Sequence, residues 1–499
     1  MVSSPPNMCG FISIIGPPGT DTIHDVLSGL LAIQHRGQDA AGVVTFGEKF
    51  QAKKGLGLVR EVFQDKHLQR LRGHLGVGHV RYPTVGLGED TDVQPFWLDY
   101  PVGVAMAHNG NVTNFHELRR TYFNNRHIHL GSSCDLEVVL YVFADALMRR
   151  NGDGIGVEEV RVAVEEVFRR VKGAYSVVGI TAEGMYAFRD PFGIKPIIFG
   201  KKETPEGTFY AVASESVVLD VAGYEVVRDL AAGEMLWIGS DRVPHFVQVG
   251  DKPHRPCIFE YIYFARPDAF LDTTSVYEAR MELGRRLAHA FRETGLRADV
   301  VIPVPESAKT AAQTMAEELD LPCREGFVKN RYVGRTFIMP NDEARRASIR
   351  AKLNPIRAEF EGKHVIILDD SIVRGNTSRQ IVAIAKQMGA VKVHFASYSP
   401  PLLFPCFYGI DMSTKREFVA RERTHEQIAA ELGADTVLYQ TVEQMVDGVR
   451  VAGGNDREFC TGCFTGEYPT GDISDEMIDD IERDRIAAGT AEPQDLTPK

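Results

Sequence analysis

Apolar residues fall along this chain in short runs of strand length, separated by stretches with helical spacing. Phe11 to Ile15 is one such run, closed by the turn signal Gly16-Pro17-Pro18-Gly19. Val160, Val164, Val167, Phe168 and Val171 recur every three or four positions and predict a helix; Tyr175 to Ile180 then reads as a strand. Periodicity fades between Pro244 and Pro256, where Pro, Gly and charge collect, so a domain boundary is expected there. The second half alternates more regularly. Ala298–Val304, Val365–Leu368 and Val391–Ser397 predict strands, with helices over Thr310–Leu319 and about Ser378–Met388. Strands alternating with helices imply a parallel sheet covered on both faces. Past Gly471 the chain turns acidic, with Met477, Ile478 and Ile481 suggesting one short helix and a frayed end from Ala488. No internal repeat is visible.

At 499 residues the chain exceeds one hydrophobic core, and two to four domains are expected. Hydrophobic content of 44% with 25% charged residues excludes wholesale disorder, and no apolar run is long enough for a bilayer span. The net charge of −12 disfavours nucleic-acid binding, so any bound anion needs a local basic pocket. Met1 to Met8 lacks the basic and apolar regions of a secretory signal. Seven cysteines are too sparse for a disulfide scaffold and predict reduced thiols in a cytoplasmic setting.

The run Val365-Ile-Ile-Leu-Asp-Asp-Ser-Ile-Val-Arg-Gly-Asn-Thr-Ser378 is the most informative segment. A buried strand ends in Asp369 and Asp370, and a Ser/Gly/Thr-rich loop opens a helix. N–H groups at such a helix start form an anion site, and Gly375 lets backbone approach closely. Adjacent acids at a strand end can bond ribose hydroxyls and help hold Mg²⁺. An Asp-Asp pair alone is equally a solvated turn. The full run resembles the phosphoribosyl pyrophosphate motif of type I phosphoribosyltransferases. That resemblance implies that the acids face the ribose, while Ser371, Arg374, Gly375, Asn376 and Thr377 hold the 5′-phosphate. Val304-Pro-Glu-Ser307 is similar to the family's pyrophosphate loop, with Ser307 near the metal alongside Asp369 and Asp370. Lys329 to Lys363, including Arg335, holds nine basic and four acidic residues, which suits a mobile flap over a polyphosphate.

Met8-Cys9-Gly10 opens the first apolar run, where a lone cysteine is ordinarily a core residue. Leu31-Ala-Ile-Gln-His-Arg-Gly-Gln-Asp-Ala-Ala-Gly42, Gly78-His-Val-Arg-Tyr-Pro-Thr84, Ala107-His-Asn-Gly-Asn111 and Ser132-Ser-Cys-Asp135 follow in order. Together these resemble the class II glutamine amidotransferase domain, an αββα N-terminal-nucleophile fold, over residues 9–240. Amide hydrolysis needs a nucleophile, and a thiol is a strong one. The resemblance makes Cys9 the nucleophile and its own α-amine the base, an amine whose ordinary pKa near 8 suits the task. Asn109 and Gly110 would hold the oxyanion. Arg81 and Asp135 would take the carboxylate and ammonium of glutamine, with Thr84 adding a hydroxyl. Met1 to Met8 is then a propeptide with an exposed tail, or translation begins at Met8.

No Ser-Gly-Gly-x-Asp-Ser loop of asparagine-forming enzymes is present, and the acidic-pair run stands where a sugar isomerase domain would follow. Both halves, with Phe259-Glu-Tyr-Ile-Tyr-Phe-Ala-Arg-Pro-Asp268 and Phe327 to Pro340, resemble the glutamine phosphoribosylpyrophosphate amidotransferases. The resemblance implies a domain over 241–470 after the first, an acidic tail over 471–499, glutamine and phosphoribosyl pyrophosphate as substrates, and one Mg²⁺ per subunit. It also implies internal ammonia transfer to form 5-phosphoribosylamine at the opening of purine synthesis, purine nucleotides as feedback inhibitors, and a homotetramer. A non-catalytic sensor of the same sugar phosphate is the alternative, disfavoured by Cys9 and Asn109. Cys460-x2-Cys463 alone is half a zinc site, a redox pair or half a cluster site. With Cys257 and Cys406 in their Pro-Cys contexts it resembles the branch carrying one [4Fe–4S] cluster per subunit. Cys134 and Cys323 remain as ordinary thiols.

Overall fold

The structure is a computed structural model that describes residues 8–82, 90–99, 103–126, 130–148, 154–330, 353–410, 415–474 and 477. Thr84, Arg335, most of the expected basic flap and Ser3 to Asn7 lie outside the described residues, as does nearly all of the acidic tail.

Two antiparallel sheets form the first half. The first runs, in spatial order, Glu225–Asp229, Ile198–Thr204, Gly207–Ala213, Gly10–Ile15, Leu75–Arg81, Ala40–Phe46 and Phe50–Leu56. The second runs His245–Gln248, Glu234–Ile238, Met185–Arg189, Gly173–Thr181, Val104–Val112 and Phe96–Leu98. The period of two along each strand explains how they stack. Phe11, Val44 and Val77 share an inter-sheet core with Ala105, Ala107 and Val178. Alternate residues turn outward: Ile12 and Ile14 meet the helix Ile23–Ala32, whereas Val104 and Met106 meet the helices Asp135–Met148 and Val157–Arg170. This is the expected αββα arrangement. His245–Gln248 pairs with Glu234–Ile238, so the second sheet continues past residue 240, the expected close of the domain.

The second half holds a parallel sheet in the order Val300–Pro303, His364–Asp369, Lys392–Ser397 and Thr436–Tyr439. Both faces are covered, which is why these strands read as unbroken apolar runs. Val301, Ile366 and Leu368 face Leu283, Leu287 and Met315 on one side. Val300, Ile302, Val365 and Ile367 face Ile381, Ala385 and Ile428 on the other. Phe327–Lys329 pairs antiparallel with Leu353–Pro355, which brings Lys329, the start of the basic stretch, beside Leu353 within it.

Buried ion pairs join the halves. Arg189 of the second sheet grips Asp272 through two bonds of 2.6 and 2.9 Å. Arg36 bonds Glu215, and its NH2 lies 2.5 Å from Glu260 in the short helix Glu260–Phe264.

Candidate active site

Cys9 directly precedes the strand Gly10–Ile15, whose neighbour Leu75–Arg81 carries Arg81 at its end. Its thiol is nearly buried and points at the carbonyl oxygen of Tyr82, 3.7 Å away. Burial pushes this thiol up, outweighing the Tyr82 hydrogen bond and the nearby positive charges of Arg81 and Lys195. It therefore stays protonated near neutrality, and a base must take its proton before it attacks.

Asn109 lies within Val104–Val112, opposite Ser176. Its side-chain amide is buried, yet neither Nδ2 nor Oδ1 finds a partner among the described residues. A buried amide without partners fits a group reserved for a ligand oxygen. Gly110 follows with φ +151°, and a Cβ there would fall 2.0 Å from the Ala174 carbonyl oxygen. Only glycine passes.

The charged pair expected for glutamine is assembled from two distant segments. Asp135 begins the helix Asp135–Met148 and accepts the N–H of Val112 at 2.9 Å. His108 Nε2 lies 3.4 Å from the same carboxylate oxygen. Gln94 donates to His108 Nδ1 at 3.0 Å, which leaves Nε2–H facing Asp135. Burial works to raise Asp135, but His108, the Val112 N–H and Arg81 outweigh it and hold the acid below the usual range. Arg81 is buried with its guanidinium 3.6 Å from Asp92. His108 stands in the Ala107–Asn111 run, which by itself gives it no role. Asp92 and Gln94 carried no local signal at all.

The phosphate constellation sits at the carboxyl ends of parallel strands. Pro303 is in register with Leu368, so the loops after both strands lie side by side. Ser307 donates to Oδ2 of Asp370, and Ser371 Oγ donates to Oδ1 at 2.6 Å. Burial and then Asp370 push Asp369 well above the ordinary carboxylate range; burial also raises Asp370, against its two serine bonds and Arg280. Two buried acids with raised proton affinity suit a divalent cation, which would relieve both terms. Gly375, Asn376 and Thr377 form the start of the helix Asn376–Gln387. Arg374 pairs with Glu417 at 3.1 Å, and Lys329 Nζ stands 4.0 Å from Glu306.

The four cysteines of the third constellation come together at the junction of the halves. Cys257 and Cys460 form a parallel bridge, with Cys460 N–H on Pro256 O at 2.9 Å and Cys257 N–H on Ile194 O at 3.0 Å. The carbonyl of Cys463 takes the N–H groups of Leu403 and Phe404, just before Cys406. Burial pushes Cys257 up to about 12 and Cys460 and Cys463 well above the usual thiol range, and the neighbouring sulfurs of the set add to it. No three Cys, His, Asp or Glu side chains among the described residues converge closely enough to grip a single ion.

A family model described as a glutamine amidotransferase domain matches residues 79–220. The chain is 44% identical over 495 residues to the amidophosphoribosyltransferase of Pseudomonas aeruginosa, covering 98% of each. It is 43% identical to that of Saccharomyces cerevisiae over 491 residues, 96% of this chain and 95% of the other. The solved glutamine phosphoribosylpyrophosphate amidotransferase from B. subtilis, complexed with ADP and GMP, superposes with a TM-score of 0.83. It is 38% identical and covers 94% of this chain and 98% of its own.

Proposed function

The chain belongs to the amidophosphoribosyltransferase family, and on that premise we propose how its own residues divide the work. The family activity, the first step of purine biosynthesis, combines a glutamine amidotransferase with a pentosyltransferase. Cys9 attacks the side-chain amide of glutamine, which Arg81 and Asp135 hold by its two charged groups. The α-amine of Cys9, freed when Met8 is removed, takes the thiol proton and returns it to departing ammonia. Asn109 Nδ2 and the N–H of Gly110 stabilise the oxyanion. The orphaned amide of Asn109 is the observation that carries this half.

In the second half, Asp369 and Asp370 bind the ribose, and the loop from Ser371 to Thr377 holds the 5′-phosphate at the helix start. Lys329 and, by the resemblance, Arg335 would add positive charge for the polyphosphate. Mg²⁺ would be held by Ser307, Asp369 and Asp370 and would neutralise the departing pyrophosphate. Cys257, Cys406, Cys460 and Cys463, an all-thiol donor set, would hold the [4Fe–4S] cluster of the family's iron-bearing branch as a structural staple. Nucleotide feedback comes to this chain from the ADP and GMP bound by the B. subtilis relative. The homotetramer rests on the resemblance alone. Free cysteines throughout, with no helix long and apolar enough to cross a membrane among the described residues, support a reducing, cytoplasmic setting.

Cys9→Ala tests the two-site reading. Glutamine-dependent phosphoribosylamine formation should vanish while activity with added ammonia persists; loss of both in a folded protein refutes it.

A further inference from the structure

Lys195 is a wholly buried lysine to which none of the three constellations assigns a role. Its Nζ lies 3.2 Å from the thioether sulfur of Met8, itself fully buried. Among the described residues no carboxylate pairs with this ammonium. The neighbouring Asp190 spends its oxygens on the backbone N–H groups of Phe192, Ile194 and Lys195. The Lys195 backbone is pinned as well, its carbonyl accepting from Ser176 Oγ and Arg189 Nε at 2.8 Å each. A buried ammonium with only a thioether for company is costly, and such costs are found where the charge is used.

Met8 is covalently joined to Cys9, so bond lengths keep Nζ within about 9 Å of the Cys9 nitrogen. We propose that Lys195 is a positioning residue for the amine chemistry of Cys9. Its ammonium seats Met8 while that residue is attached, and once Cys9 bears a free α-amine it keeps the amine unprotonated near neutrality. This rests on the reading of that amine as the base. A like charge at that range disfavours the protonated amine by about one pH unit. The other charges facing Cys9 are Arg81, which acts in the same sense, and Asp135, which opposes it; Lys195 also reaches the thiol itself. The competing role is a counter-charge for the cysteine set, since Cys257 and Cys460 feel the same ammonium.

The test uses full-length Lys195→Met and Lys195→Arg, each checked by intact mass, iron content and ammonia-dependent activity. In matured Lys195→Met the acid limb of kcat/KM for glutamine should move up by about one pH unit. At about pH 6, below both limbs, the value should then fall about tenfold while ammonia-dependent turnover holds. Lys195→Arg should follow the unaltered enzyme. An unmoved acid limb in matured Lys195→Met overturns the proposal, and accompanying iron loss would assign the ammonium to the thiols. Retention of Met8 in Lys195→Met alone supports it, because the ammonium also seats Met8 before that residue is removed. Retention in both variants overturns it. If Lys195→Met loses ammonia-dependent activity too, Lys195→Gln takes its place. Active unaltered enzyme that still carries Met8 defeats the α-amine reading itself, before any variant is compared.

Discussion

Asn111 donates from Nδ2 to the carbonyl oxygen of Phe407 at 2.8 Å, tying the strand that bears Asn109 and Gly110 to the loop that follows Cys406. Gly409 in that loop lies against Gly110, where a Cβ would sit 2.7 Å from the Gly110 carbonyl oxygen. At φ +91° a side chain is also strained. Gly409→Ala should displace the oxyanion strand and lower glutamine-dependent kcat/KM by about 10- to 100-fold. Ammonia-dependent turnover, which bypasses that strand, should change little. Equal losses of the two activities would show that the contact serves the whole molecule.

The acidic pair gives a pH-dependent prediction. Burial holds both carboxyls above their ordinary range, so between about pH 4 and their raised values protons compete with the cation. Mg²⁺ affinity measured with phosphoribosyl pyrophosphate present should rise with pH across that window and flatten once both acids ionise. Asp370→Asn should weaken both glutamine- and ammonia-dependent activity and reduce this pH dependence.

Arg189 and Asp272 offer a stability test. Burial alone would raise Asp272, but Arg189 and His254 outweigh it and the folded-state pKa is depressed. The stabilisation is therefore present above the unfolded value near 4 and is lost as pH falls through the folded one. Asp272→Asn leaves a buried guanidinium without its counter-charge and should cost about 3–5 kcal/mol. Replacing Arg189 by Met together with Asp272 by Leu should recover much of that loss in denaturant melts.

The cysteine set is tested by composition. Protein made anaerobically should be brown, with about four irons per chain. Cys460→Ser should lose iron and stability together, since metal binding is coupled to folding. Stoichiometric zinc without iron would replace the cluster by a Cys₄ zinc site.

The sequence alone determined elements buried on both faces. Val365 to Leu368 reads as a strand because helices cover it on either side, which leaves no polar position to break the run. Cys9, Asn109, Asp135 and the Asp369–Asp370 run were singled out by resemblance to family motifs, each carried in a few contiguous residues. His245–Gln248 was not: an edge strand half open to solvent needs no apolar pattern, and only its pairing with Glu234–Ile238 reveals it. Asp92 came to Arg81, and Phe407 to Asn111, through tertiary packing. Lys195 stands out only once folding has buried its charge beside Met8 with no carboxylate. Periodicity records which faces of an element are dry. Which charges share a dry volume is decided by the crossing of segments hundreds of residues apart, and no local pattern encodes that.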